Sequence, residues 1–249
     1  MHYNFMRILG IETSCDETSL AVVEASGGLR ASKFRVIKNL VASQIKIHRP
    51  FGGVVPNLAK REHLKNLPLL WKRIMNNELR IRGGKKSLNS KFSILSSIDL
   101  IAVTVGPGLE PALWTGIIFA KELWQKMKHE TRSVKPIVGA NHLEGHLYSF
   151  LLENSFEFRA SSFNNMFPAV TLLVSGGHTI LLKMDSLTKW KKLGETRDDA
   201  AGEAFDKVAR MLNLPYPGGP EIERLAKSSK LKAQSYIPFP RPMMHDKSY

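Results

Sequence analysis

The sequence predicts an α/β protein in which one structural plan is used twice. Apolar strand-like segments alternate with amphipathic helical segments through the first half of the chain. A strand, a turn of small polar residues and a return strand then occur both at the N-terminus and again after Ala169. With 249 residues, 43% hydrophobic and 23% charged, the chain has the composition of a globular protein with a sizeable core.

In chain order, Arg7–Glu12 reads as a buried strand, Thr13–Thr18 as a polar turn, and Ser19–Glu24 as the returning strand. Gly27 and Gly28 supply the next turn, and Arg30–Leu40 reads as a third strand. A first turn filled with hydroxyls and carboxylates is unlike a Rossmann opening, which needs glycines between strand and helix. Ala59–Asn77 carries Leu64, Leu67, Leu70, Trp71 and Ile74 at helical spacing and reads as a helix. Ile98–Val105 is a strand closed by Gly106-Pro107-Gly108, followed by an amphipathic helix over Leu113–Lys128. A second pass runs through a strand at Pro136–Ala140, a helix bearing His142 and His146, and a polar loop at Asn154–Asn165. It continues with a strand at Ala169–Val174, the turn Ser175-Gly176-Gly177-His178, a hairpin partner at Thr179–Met184, and a helical stretch at Glu221–Ala226. The expected division is a first lobe over 1–132 and a second over 133–249, with a cleft between them.

Charge and cysteine content narrow the setting. The net charge of +14 favours a polyanionic partner such as nucleic acid, since lysine and arginine contacts to phosphate release counterions. Part of the excess lies in Arg80, Arg82, Lys85, Lys86 and Lys91, a stretch that reads as a loop insertion. Cys15 is the only cysteine, which fits a reducing, cytoplasmic location. No apolar run reaches the length of a membrane span, and Met1–Arg7 shows no signal or transit pattern, which favours a bacterial source. Met6 is a candidate for the natural start.

The chemistry-bearing segments are few. In His142-Leu143-Glu144-Gly145-His146 the two imidazoles stand at i and i+4, on one helix face, where they are able to grip one metal ion. A pair of solvated or core histidines is the competing reading. Leu143 occupies the position where a zinc peptidase of the His-Glu-x-x-His type carries its general base, which argues against peptide hydrolysis. Ser175-Gly176-Gly177, Gly106-Pro107-Gly108 and Tyr216-Pro217-Gly218-Gly219-Pro220 are candidate anion cradles, each equally readable as an ordinary turn. Asp198 and Asp199 read as a helix start, with Asp206 on the same side as Asp199 and Glu203. That acidic face is either solvated or a ribose and metal contact.

Gly10–Thr18, Gly52-Gly53-Val54-Val55-Pro56, Asn141–His146, Leu172–Thr179, Asp198–Lys207 and Tyr216–Pro220 together, in this order, resemble the TsaD family and its mitochondrial branch, formerly described as O-sialoglycoprotein endopeptidases. The resemblance runs from Arg7 to about Pro242. It implies an actin-like, Hsp70-type ATPase fold of two lobes, the second incomplete. It also implies transfer of threonylcarbamoyl from threonylcarbamoyl-AMP to N6 of adenosine 37 in tRNAs reading codons that begin with A. In the family, positions matching His142 and His146 bind one iron or zinc ion. Positions matching Leu173, Val174, Ser175, Gly176 and Gly177 contact the adenylate, and those matching Asp206 and Gly219 contact its adenosine. Glu12 and Asp16 are the catalytic candidates of the first turn. Family members continue beyond the length of this chain, where an aspartate supplies a third metal ligand, so the resemblance implies a fragment or an incomplete, inactive product. Implied partners are tRNA with TsaB- and TsaE-type subunits, or a second copy of the chain. An actin-fold kinase, a metallopeptidase and an inactive tRNA- or partner-binding fragment are the alternatives.

Overall fold

The computed structural model describes residues 5–26, 33–77, 97–132, 134–152 and 166–228. The basic stretch Arg80–Lys91, the polar loop at Asn154–Asn165 and the segment after residue 228 lie outside the described residues.

The described chain divides into two compact α/β units. The first comprises residues 1–46 and 54–162, the second 47–53 and 163–249. Residues 134–152 group with the first unit.

The first unit is built on a five-stranded mixed sheet in the order β3-β2-β1-β4-β5. Strands β1 (Phe5–Glu12), β2 (Glu17–Ser26) and β3 (Lys33–Ser43) form an antiparallel meander. β4 (Leu100–Gly106) lies parallel to β1, and β5 (Ile137–Asn141) parallel to β4. Alternation along β1 and β2 sends Leu9, Ile11, Leu20 and Val22 to one face, which is what a half-covered sheet requires. A short helical turn, α1 (Ile45–His48), follows β3. Two long helices, α2 (Pro56–Asn77) and α3 (Glu110–Thr131), pack on the sheet and on each other. Leu67, Leu70, Ile74, Ala120, Leu123 and Met127 close the core against Leu9, Ile11, Leu20 and Val22. Each large apolar side chain buried there contributes on the order of 1.5–3 kcal/mol.

Three expectations for this unit need correction. β3 runs on to Ser43 because its ladder with β2 continues to the Glu17–Ser43 pair, a tertiary contact that the local pattern does not report. The helix α2 begins at Pro56, whose missing N–H costs nothing in a first turn. Leu64 is exposed and not a core residue; Pro68, four residues on, removes the hydrogen bond to the Leu64 carbonyl.

The second unit contains a three-stranded antiparallel sheet, β6 (Ala169–Val174), β7 (Thr179–Ser186) and β8 (Lys189–Glu195). β8 has no counterpart among the expected elements, because Lys189-Trp190-Lys191-Lys192 shows no apolar alternation and is held by its pairing with β7. Two helices follow, α5 (Ala201–Met211) and α6 (Gly218–Ser228). Asp198 and Asp199 precede α5 and do not start it: Ala200 is its N-cap, and the Thr179 hydroxyl accepts from the Ala201 amide at 2.9 Å. The segment Ile47–Gly53 joins this unit, where Arg49 donates to the Tyr216 carbonyl at 2.9 Å and Arg210 to the Gly52 carbonyl at 2.8 Å.

Among the described residues, no helix is long and apolar enough to cross a membrane.

Candidate functional site

The histidine pair sits on α4 (His142–Leu147), which leaves the C-terminal end of β5 without a linker. Asn141 caps the helix: its Oδ1 accepts from the Leu143 amide at 2.9 Å and the Glu144 amide at 3.2 Å. The cap fixes the first turn, and so the direction in which His142 leaves the backbone. One turn later His146 stands beside it, with the ring centroids 4.6 Å apart and the planes at 85°. The two Nε2 atoms are 3.2 Å apart.

That separation can be compared with a metal ion's demands. Two imidazole nitrogens at about 2.05 Å from one ion, at a tetrahedral angle, lie roughly 3.3 Å apart. The donor set and its spacing therefore fit one metal ion held by both Nε2 atoms.

The far side of His142 is braced. Its Nδ1 lies 3.2 Å from Glu12 Oε2 and 3.2 Å from Ser14 Oγ. A carboxylate accepts only, so this contact sets Nδ1 as the protonated nitrogen and leaves the Nε2 lone pair free for a ligand. Glu12 is itself fixed: Ser14 N donates to Oε1 at 2.5 Å and Thr104 Oγ1 to Oε2 at 2.5 Å. Burial works against its charged form. Hydrogen bonds from His142, Ser14 and Thr104 outweigh that penalty and bring the carboxyl down to about 2.

The turn that carries Glu12 and Ser14 has little room around it. A Cβ on Gly108 would sit 2.7 Å from the Ser14 carbonyl oxygen and 2.8 Å from Ser14 Cβ, so the loop entering α3 approaches closely only because residue 108 is glycine. Leu109 N donates to that same Ser14 carbonyl at 2.8 Å. Gly106-Pro107-Gly108 thus has a packing role against the first turn.

Asp16 does not join the carboxylate–histidine cluster. Its carboxylate is hydrogen-bonded to Cys15, and desolvation, followed by the charge of Asp16, pushes that thiol up to about 12. Cys15 therefore stays protonated near neutrality and supplies no thiolate nucleophile. Among the described residues, no group of three or more His, Cys, Asp or Glu side chains converges on a common metal position.

The remaining candidates belong to the second unit, where α5 gathers them. Gly202, in its first turn, lies so close to the β6–β7 turn that an added Cβ would be 2.8 Å from both Gly176 Cα and the Ser175 carbonyl oxygen. The Gly202 amide donates to that carbonyl at 3.1 Å. Four residues later, Asp206 Oδ1 accepts from the Gly218 amide at 2.6 Å, next to Gly219. Leu173 and Val174 end β6, and Gly176, Gly177 and Gly219 have open space where a side chain would stand. The Ser175 hydroxyl accepts from the amides of Gly177 at 3.3 Å and His178 at 3.0 Å. An anion at this turn would compete with that hydroxyl. Asp199 and Glu203 pair with Lys207, whereas Asp206 takes the Gly218 amide.

Thr104, Asn141 and the hydroxyl of Ser14 were not singled out as site residues from sequence. Asn141 as a helix cap was readable from its place before His142. Thr104, at the end of a buried strand, had no local signal.

A carboxylate-braced imidazole pair on a capped helix, in an α/β chain, defines a protein whose own side chains suit a divalent metal ion. The chain belongs to the TsaD family, tRNA N6-adenosine threonylcarbamoyltransferase, whose model matches residues 35–249. The tRNA N6-adenosine threonylcarbamoyltransferases of Fervidobacterium nodosum and Thermosipho melanesiensis are each 45% identical to it over 245 residues, 98% of the chain. The chain spans 61% and 63% of the length of these two relatives. Among solved structures, YeaZ from Pseudomonas aeruginosa has a TM-score of 0.38 at 14% identity, covering 80% of this chain and 72% of its own. At that score the likeness bears on neither fold nor function.

Proposed function

We propose that this protein transfers the threonylcarbamoyl group of threonylcarbamoyl-AMP to N6 of adenosine 37 in tRNAs that read codons beginning with A, as an actin-like two-lobed enzyme of the cytoplasm. The observation that carries this reading is the histidine pair, with Nε2 atoms 3.2 Å apart and Glu12 behind it, in a member of this family. The mixed sheet order with a parallel β1–β4 pair supports the actin-like reading of the first unit.

His142 and His146 would hold one iron or zinc ion, which when bound supplies Lewis acidity toward the donor's oxygens. The protein's other residues act by holding parts in place. Glu12 and Ser14 fix the ring of His142. Glu12, at about 2, is too weak a base to accept a proton at neutral pH, so its role is orientation and charge. Leu173, Val174, Ser175, Gly176 and Gly177 line the adenylate's path, and Asp206 with Gly219 would meet its adenosine. The N6 amine of the tRNA base then forms the C–N bond to the carbamoyl carbon as the bond from that carbon to the phosphate oxygen breaks; AMP departs, and the proton lost by N6 passes to the departing phosphate or to water. Positioning supplies the main acceleration, as no side chain among the described residues is an obvious covalent nucleophile. The net charge of +14 suits a tRNA partner. TsaB- and TsaE-type subunits are the proposed protein partners, with a homodimer as the mitochondrial-type alternative.

The test is the content of threonylcarbamoyladenosine in tRNA from a strain depleted of its own transferase and expressing this chain or its His142→Ala variant. Restoration by the native chain with loss in the variant supports the transferase reading, whereas no restoration by the native chain supports the inactive-fragment alternative. Equal restoration by both would overturn the reading of His142.

A further inference from the structure

Three consecutive carbonyls of the first turn are each held by a different element. Ser14 O accepts from Leu109 N at 2.8 Å, and Asp16 O from Gln44 N at 2.9 Å. The carbonyl between them, Cys15 O, lies 2.9 Å from Nε2 of His63, a side chain on α2. A carbonyl cannot donate, so His63 carries its proton on Nε2. The opposite nitrogen faces two donors: Thr18 Oγ1 at 2.8 Å and the Gln44 amide nitrogen at 3.3 Å. The Gln44 amide nitrogen is a donor only and asks for a lone pair at Nδ1, to which the Thr18 hydroxyl is able to donate as well. These contacts favour the tautomer protonated at Nε2 in a ring with 0% of its surface exposed.

We propose that His63 is a positioning residue of the metal site: by tying the Cys15 carbonyl to α2 it holds the turn in which Glu12 and Ser14 face Nδ1 of His142. The chain of contacts is short. Cys15 is bonded to Ser14, whose Oγ is 3.2 Å from His142 Nδ1 and whose amide donates to Glu12 at 2.5 Å. A shift of the turn by even 0.5 Å or so would lengthen contacts that are already 3.2 Å, and hydrogen bonds weaken quickly past that distance. Thr18 takes part from the other end: its hydroxyl, fully buried, favours the tautomer that lets Nε2 donate. The inference rests on reading His142 and His146 as metal ligands, and its test has one arm that does not.

The first arm is ¹⁵N NMR of the His142 ring in the metal-free chain, compared with His63→Ala, His63→Gln and Thr18→Val. The second is a Co²⁺ titration of the same four proteins. In His63→Ala and Thr18→Val, His142 is expected to lose its Nδ1-protonated signature, and Co²⁺ affinity to fall about tenfold, the low end of losses seen when a ligand's supporting partner is removed. His63→Gln, whose amide N–H is able to reach the Cys15 carbonyl, should recover most of both. Melting points lowered with the His142 signals and Co²⁺ affinity unchanged would overturn the proposal, leaving His63 as a core residue only. Should His63→Ala not fold, Thr18→Val decides by the same two readouts. Should the native chain bind no Co²⁺, the metal reading fails and the NMR arm alone decides the positioning role.

Discussion

Replacing Glu12 by glutamine keeps the shape of the side chain and removes its charge, and the surroundings show why the exchange should be costly. Both oxygens of Glu12 are acceptors: Oε1 from the Ser14 amide at 2.5 Å, and Oε2 from Thr104 at 2.5 Å and from His142 Nδ1 at 3.2 Å. Glutamine offers one acceptor and one NH₂. Whichever way it is turned, a donor meets a donor, either at Ser14 or at the Thr104–His142 pair. If the Ser14 side keeps the oxygen, His142 loses the acceptor that fixes its tautomer, and Nε2 is no longer held as the free lone pair. Loss of such a partner typically lowers metal affinity 10–100-fold, about 1.4–2.7 kcal/mol. Calorimetric titration of Zn²⁺ into the native and Glu12→Gln chains measures the ratio directly. Equal affinities, with both proteins folded, would refute the view that Glu12 braces the ligand. A loss confined to thermal stability would do the same.

Gly108→Ala forces a Cβ to within 2.7 Å of the Ser14 carbonyl, and should lower stability by about 1–3 kcal/mol and weaken metal binding together; denaturant melts and the Zn²⁺ titration would show both. Asp206→Ala removes the acceptor at the Gly218 amide, and is expected to destabilise the α6 start by about 1 kcal/mol, measured by thermal unfolding, and to weaken adenylate binding. Glu24 is largely buried, which opposes its charge, but Arg35 and Arg7 at 2.6 and 2.8 Å outweigh this and lower its pKa. A lowered folded pKa gives stability that is present above the unfolded value of 4.5 and lost as pH falls below it. Glu24→Gln should therefore lower the melting point at pH 7 and flatten its decline on acidification; a decline as steep as in the native chain would contradict the assignment. Arg35 is well exposed, so the contribution should stay at about 1 kcal/mol or less after solvent screening.

The sequence by itself determined the elements whose signal is local. Alternating Leu9 and Ile11 mark a half-buried strand, and Asn141 before a helical pair of histidines marks a cap and a shared helix face. The i, i+4 spacing alone places two imidazoles on one side of a helix, because that follows from 3.6 residues per turn. What it left open depends on residues distant in the chain. β8 exists because β7 pairs with it, although Lys189–Lys192 has no apolar period. The acidic residues of Asp198–Asp206 divide between an ion pair of Asp199 to Lys207 and a bond from the Gly218 amide to Asp206 within α5, the second made only when α6 packs beside α5. His142 acquires its tautomer from Glu12, 130 positions away, because β1, β4 and β5 lie parallel and end at the same side of the sheet. Spacing supplied two imidazoles on one face; only the sheet could place a carboxylate behind the first of them, since hydrogen bonds act over about 3 Å and take no account of separation along the chain.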